Sequence, residues 1–273
     1  MRRNLILAIL AVLVLVILSL LSNPFTTQNT SHMLLSPTLN APFGTDTLGR
    51  NALLLALAGL KQSFLIAVLA VLIGASFGAL MGIIAGRLFH KPADIVLGHL
   101  QDVIFAFPAL ISAMLLTALT DSSNINWLKD LRQSGMIAMF AIALFNIPVF
   151  ARILRARAAL LWQMPYVAAA RLNKQSDTLI ALRHIFPNLM APLLVHSATQ
   201  LAMALIAEAG LSFIGLGVQP PLASLGRQLA ASQSFITIAP NLLLAPALIL
   251  ITLTALLVFI GDQLSKYMDE LGL

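Results

Sequence analysis

The chain has no cysteine, few charged residues and few aromatic ones, and each scarcity closes off a class of function. With no cysteine among 273 residues there is no disulfide, no thiolate metal site and no cysteine nucleophile. Charged residues make up only 10% of the sequence, too few to solvate a water-soluble domain that is 59% hydrophobic. The five histidines, His32, His90, His99, His184 and His196, show no metal-ligand spacing, and none is assigned to a metal. No G-x-x-x-x-G-K-[ST] loop exists to cradle nucleotide phosphates. An intramembrane enzyme would need a nucleophile with its base, or a metal cluster, and neither HExxH nor a serine–histidine pairing is found.

What is present is membrane. Mean hydropathy is +0.95. Apolar runs at Leu5 to Leu21, Phe64 to Ala85, Val103 to Leu119, Met136 to Phe150, Leu189 to Ala207 and Leu242 to Ile260 each approach the roughly 20 residues that a helix needs to cross the hydrocarbon core. The expected fold is therefore all-α, an integral protein with six transmembrane helices in a lipid bilayer. Residues 1–21 form an N-terminal tip and first span, 22–63 an outer-face loop and interfacial helix, 64–262 the transmembrane core, and 263–273 a tail. The first run follows Arg2 and Arg3, exceeds a usual signal core and lacks a small-residue cleavage site in LSLLSNPFTT, so it reads as an uncleaved anchor.

Positive charge is retained on the cytoplasmic side of span ends. With both termini cytoplasmic, that side holds Arg2, Arg3, Arg87, Lys91, Arg152, Arg155, Arg157, Arg171, Lys174, Arg183 and Lys266, against Arg50, Lys61, Lys129, Arg132 and Arg227 outside. The net charge of +6 thus describes topology and does not indicate nucleic-acid binding.

Several segments stand out. Ser22 to Ala41 reads as a loop; after it Thr45 or Asp46 is of a type that caps a short helix running toward Lys61, but composition favours a simple turn there before an interfacial helix. Gly74, Gly78, Gly82 and Gly86 recur every fourth residue and form one helical face on which a neighbouring backbone can approach closely. Arg87 to Gly98 reads as a short polar turn, Phe107-Pro108 as a kink, and Ser122 to Arg132 as a polar loop. Asp102 and Glu208 are acids at or near spans, where charge faces a cavity or a partner; packing and path-lining roles are both open for them. Tyr166 to Asn188 is a polar island. Pro165 starts a helix there, Asn173 to Asp177 turns, Thr178 to Ile185 resumes helix, and Pro187 is expected to stop it.

These residues carry a resemblance. Tyr166-Val167-x-Ala169-Ala170-Arg171, followed by Ser176-Asp177 and by Arg183-His184-Ile185-Phe186-Pro187-Asn188, resembles the EAA loop of bacterial ABC importer permeases, in the branch that carries peptides and nickel. Gly44-Thr45-Asp46-x-Leu48-Gly49-Arg50 is similar to the signature after the first span in the C-type permease subunit. Asp102 with Phe107-Pro108, Glu208-Ala209-x-Leu211-Ser212-Phe213-x-Gly215-Leu216-Gly217-Val218-Gln219-Pro220-Pro221, Gly226-Arg227 and Gly261-Asp262 follow in the same order.

The resemblance implies a type I ABC importer permease fold, with a cytoplasmic coupling-helix loop at about 159–190. Ala169, Ala170, Arg171, Lys174, Ser176, Asp177, Ile185 and Pro187 are its coupling residues, and Gly44, Thr45, Asp46, Gly49 and Arg50 its signature. It implies a non-catalytic subunit that binds no cofactor itself, with ATP and Mg held by one or two separate ATPase subunits. The other implied partners are a homologous B-type permease, making a heterodimer, and an extracytoplasmic substrate-binding protein docking on Asn23 to Lys61 and Phe213 to Pro240. The location implied is the bacterial inner membrane, and the cargo short peptides first, nickel or a metal complex second. A self-sufficient channel or ion-coupled carrier would have only Asp102 and Glu208 to work with. The chain departs from the family at Ala168 for glutamate, Lys174 for glycine, Asn51 for aspartate and Leu225 for tryptophan. A lysine in place of glycine implies a stiffer turn, and an added charge that a matching acidic patch on the ATPase would meet.

Overall fold

The computed structural model of the protein describes residues 2–22, 30–106, 109–121 and 126–270. Helices dominate, and among the described residues the extended pairing is a single bridge between Thr45 and Asn51. The helices are α1 (Arg2–Leu21), α2 (Ala52–Arg87), α3 (Pro92–Ala106), α4 (Ala109–Asp121), α5 (Asn126–Gln133), α6 (Met136–Leu161), α7 (Pro165–Leu172), α8 (Asp177–Ile180), α9 (Phe186–Phe213), α10 (Leu225–Gln233) and α11 (Asn241–Glu270). Among the described residues, five rods are long and apolar enough to cross a membrane: α1, α2, α6, α11, and α8 through α9, which run together over Asp177–Phe213. The pair α3 and α4, inclined at 75°, makes a sixth crossing if taken as one span. The expected kink at Phe107-Pro108 lies outside the described residues.

Three expectations are corrected. The interfacial helix and the second span are one 36-residue helix, α2. At 1.5 Å per residue it is about 54 Å long, well beyond the hydrocarbon core. Its cap is Asn51, whose Oδ1 accepts from Leu53 N at 2.9 Å and Leu54 N at 3.4 Å. Thr45 and Asp46 are spent on the loop before it: Thr45 Oγ1 donates to His32 O at 2.5 Å, and Asp46 Oδ1 accepts from the backbone N–H of Leu48 and Arg50. The polar turn after Arg87 is also shorter than expected, because Pro92 opens α3 and leaves Asp94 in its first turn. Residues 126–133 within and beside the expected 122–132 loop are helical as α5.

The bundle is built around α2 and α6. Gly74, Gly78, Gly82 and Gly86 all face α6. A Cβ on Gly78 would lie 2.5 Å from Phe150 Cβ and 2.7 Å from Ile147 O; one on Gly86 would lie 2.6 Å from Ala158 Cβ. The stripe thus removes the side chains that would hold the two backbones apart, which is how helices pack where lipid competes with every apolar contact. Ala67, Ala70, Ala138, Phe150, Leu205 and Leu253 complete a continuous core from α2, α6, α9 and α11.

Two ion pairs staple α3 to α6. Arg155 binds Asp94 at 2.6 Å, with Asp94 only 3% exposed, and Arg152 binds Asp102 at 2.6 Å. Arg152 also covers the Phe105 ring, and Arg155 the Phe89 ring. Of the three arginines that end this span, Arg157 alone has no such partner among the described residues.

Candidate functional site

The polar island closes one end of the bundle. It leaves α6 at Leu161, turns through Trp162 to Met164, and enters α7, with Pro165 in its first turn. The helix ends in a Schellman arrangement: the N–H of Lys174 donates to Arg171 O at 2.9 Å, and that of Gln175 to Ala170 O at 3.2 Å. This geometry demands a left-handed residue at Lys174, whose φ is +55°. Glycine is the residue that adopts such a φ without strain, which gives a physical reason for a glycine at this turn and a local cost for lysine.

Ser176 then caps α8, its Oγ accepting from Leu179 N at 3.3 Å. From Asp177 the chain continues through one π-helical turn, Ala181–Ile185, directly into α9. Pro187 does not stop the helix as expected; it follows directly on the π-helical turn, where Phe186 N donates to Ala181 O, and the rod continues through it into α9. The loop's second limb and the span are therefore one rod.

Side chains beneath the loop fix it to the bundle. Val167 and Ala170 from α7, with Ile180 and Ile185 from the second limb, pack on Ala79, Leu154, Ala158, Leu161 and Trp162. Trp162 Nε1 donates to Ile83 O at 3.2 Å, and its ring lies beneath two guanidiniums, Arg87 at 5.9 Å and Arg171 at 5.7 Å. Both arginines converge on Asp177: Arg87 forms an ion pair with it, and Arg171 Nε lies 3.7 Å from Oδ1. The Asp177 carboxylate also stands at the N-terminus of α8, where the helix dipole favours it.

The expected coupling residues thus divide. Ala170, Arg171, Ser176, Asp177 and Ile185 hold the loop together, while Ala169 and Lys174 face outward. Leu172, which the sequence reading passed over, is 85% exposed at the tip. Leu179 and Leu182 extend the exposed apolar surface along the second limb. The ring of Trp162 and the reach of Arg87 were missed as well. An arginine that pairs with a residue 90 positions later leaves no local signal.

The signature and Glu208 lie toward the opposite end of α9, in separate places. Gly44 has a φ of +71° beneath Leu35 O, and Asp46 accepts from Arg50 Nε at 2.7 Å, closing the Gly44–Arg50 turn on itself. Asn241 of α11 donates to Phe43 O at 2.9 Å and ties this turn to the last span. Glu208 is fully buried; Ser212 Oγ donates to its Oε1 at 2.6 Å and accepts from Val218 N at 3.1 Å. Gly217 packs against that serine, and Gly226 against Ala209 O. Glu208 therefore sits where the 214–224 loop folds back onto α9, and Asp102 sits on the α3–α6 staple; the structure does not bring the two acids together.

Comparison with known proteins follows the same lines. The chain is 32% identical over 226 residues to a glutathione transport system permease protein of Pectobacterium atrosepticum, covering 83% of this chain and 71% of that one. It is 30% identical over 250 residues to a dipeptide transport system permease protein of Alkalihalophilus pseudofirmus, covering 92% and 78%. A putative peptide transport system permease protein of Brucella suis biovar 1 is 36% identical over 270 residues, covering 98% and 86%. Among solved structures, the inward-facing MetNI methionine ABC transporter shares the fold with a TM-score of 0.61 at 14% identity, over 78% of this chain and 95% of that chain. Residues 78–270 match the family described as binding-protein-dependent transport system inner membrane component, and the chain belongs to that family.

Proposed function

We propose that the protein is the permease subunit of an ABC importer for short peptides, supplying half of the translocation path and taking its energy from a separate ATPase that docks on the 165–185 loop. The observation that carries this reading is mechanical. The loop's first limb is clamped to α2 and α6 through Trp162, and its second limb is continuous with α9. A push on the exposed tip is therefore delivered to three spans at once, as a lever on a packed and bistable bundle requires.

The arginine-rich loop end is the cytoplasmic side in this reading, with both termini there, following the lysine and arginine bias. The opposite end, with the Gly44–Arg50 turn and the 214–240 segment, then faces the substrate-binding protein, and a homologous permease completes the path. The three relatives named for glutathione, dipeptide and peptide transport support peptides over nickel as cargo.

The test is co-purification. The sequence alone would direct a charge reversal to Arg171 and Lys174, but Arg171 belongs to the clamp, so Leu172→Glu with Lys174→Glu is the informative variant. Wild type brings down an ATPase whose hydrolysis responds to the binding protein and peptide, and the folded double variant loses it. An ATPase retained by both forms excludes the tip as the docking site.

A further inference from the structure

We propose that Arg157, His196 and Gln200 form a polar track in the translocation path that receives the carboxylate end of the peptide; this rests on the peptide-permease reading above. The track begins in a cavity of about 390 Å³ between α6, α9 and α11, lined by Arg157, Pro192, Val195, His196, Ser265 and Met268. Gln200 lies one helical turn beyond His196 on the same stripe of α9.

Three facts separate this groove from a lipid-facing surface. Here α9 is only half-buried from Ala191 to Leu201, apart from the exposed Leu194, whereas beyond Leu201 much of the same helix is in the core. Within that stretch His196 and Gln200 are polar, and neither side chain has a hydrogen-bond partner among the described residues. The exposed surface of α1 from Ile6 to Leu21, by contrast, is leucine, isoleucine and valine. A polar side chain left without a partner in hydrocarbon is expensive, and in membrane helices such residues face water-filled cavities or substrate.

The third component is Arg157. Its neighbours Arg152 and Arg155 are each neutralised by an aspartate from α3, but Arg157 is exposed at the cavity with no such partner. An unpaired guanidinium lining one cavity with an imidazole, and a carboxamide one helical turn further along α9, match what every free peptide presents at its end, a carboxylate and backbone amides. Recognition of these common groups would leave the side chains of the cargo unread.

The absence of native cysteine makes the test direct. In the assembled transporter in lipid nanodiscs, His196→Cys and Gln200→Cys are treated with a negatively charged methanethiosulfonate reagent, with Leu13→Cys on the apolar face of α1 as control. The track predicts modification at positions 196 and 200 about tenfold faster than at 13, slowed by saturating dipeptide but not by its carboxyl-amidated form. Arg157→Gln raises the KM for the free dipeptide about tenfold and leaves that of the amidated form unchanged. Labelling no faster than at Leu13→Cys, or unaffected by peptide, overturns the track while ATP-driven peptide uptake by wild type leaves the permease reading standing. Absence of that uptake in wild type removes both.

Discussion

Arg87, the last residue of α2, is ion-paired with Asp177, the first residue of α8, so the polar loop is tied at its turn to a helix far earlier in the chain. The same carboxylate faces Arg171, and both arginines lie over Trp162. This cluster links the two limbs of the loop to each other and to the bundle.

Asp177→Asn should loosen that link without unfolding the protein. The pair is partly solvent-exposed, so the loss is small, about 0.5–1 kcal/mol. Hydrogen exchange of the amides at 174–182 should speed up selectively while those of α2 are unchanged. Uniform acceleration throughout the bundle would show that the pair does not act locally.

Lys174→Gly should stabilise the turn, since φ +55° is costly for lysine and free for glycine. The expected gain is about 1 kcal/mol in thermal unfolding. If the lysine charge meets an acidic group on the proposed ATPase, the same variant weakens ATPase binding while it stabilises the loop. Lys174→Arg, which keeps both charge and strain, separates the two effects.

Gly78→Ala should disrupt the contact of α2 with α6, because the new methyl would meet Phe150 Cβ at 2.5 Å and Ile147 O at 2.7 Å. Overpacking of this kind costs about 1–3 kcal/mol. Gly98→Ala on α3 is the control, because nothing lies within 4 Å of its added carbon. Equal thermal shifts for the two variants would show that the stripe is not a packing device.

Glu208→Leu should detach the 214–224 loop from α9. It removes the acceptor for Ser212, whose Oγ also holds Val218 N. Breaking such a buried network costs about 1–3 kcal/mol, and Glu208→Gln, which keeps an acceptor, should recover most of it. Both are read from thermal unfolding of the purified transporter.

Much of this architecture was legible in the sequence because it depends on local chemistry. Apolar runs of spanning length, a four-residue glycine repeat and a proline before an alanine-rich segment each act within a few turns of helix. The errors arose where continuity overrides local signals. Pro187 reads as a terminator, but the π-helical turn just before it carries the chain straight into α9. Thr45 and Asp46 form the simple turn that composition favours, their oxygens bonded within the loop, and the cap that went unread is Asn51.

The site was legible in position and only partly in role. Its exposed tip follows from polarity, but the roles of Arg171 and Asp177 depend on Arg87 and Trp162, which reach them through packing. A charged residue in a polar loop looks the same in sequence whether it faces a partner or its own chain.

The most direct test of the coupling account uses the cysteine-free background. Leu172→Cys in the assembled transporter is treated with a short thiol-to-amine cross-linker, with Leu48→Cys in the turn at the opposite end as the comparison. The account predicts that Leu172→Cys joins the chain to its ATPase, with a yield that changes when ATP is bound, and that Leu48→Cys yields no such product. An ATPase cross-link from Leu48→Cys, or none from Leu172→Cys in a complex that hydrolyses ATP in response to peptide, would contradict it.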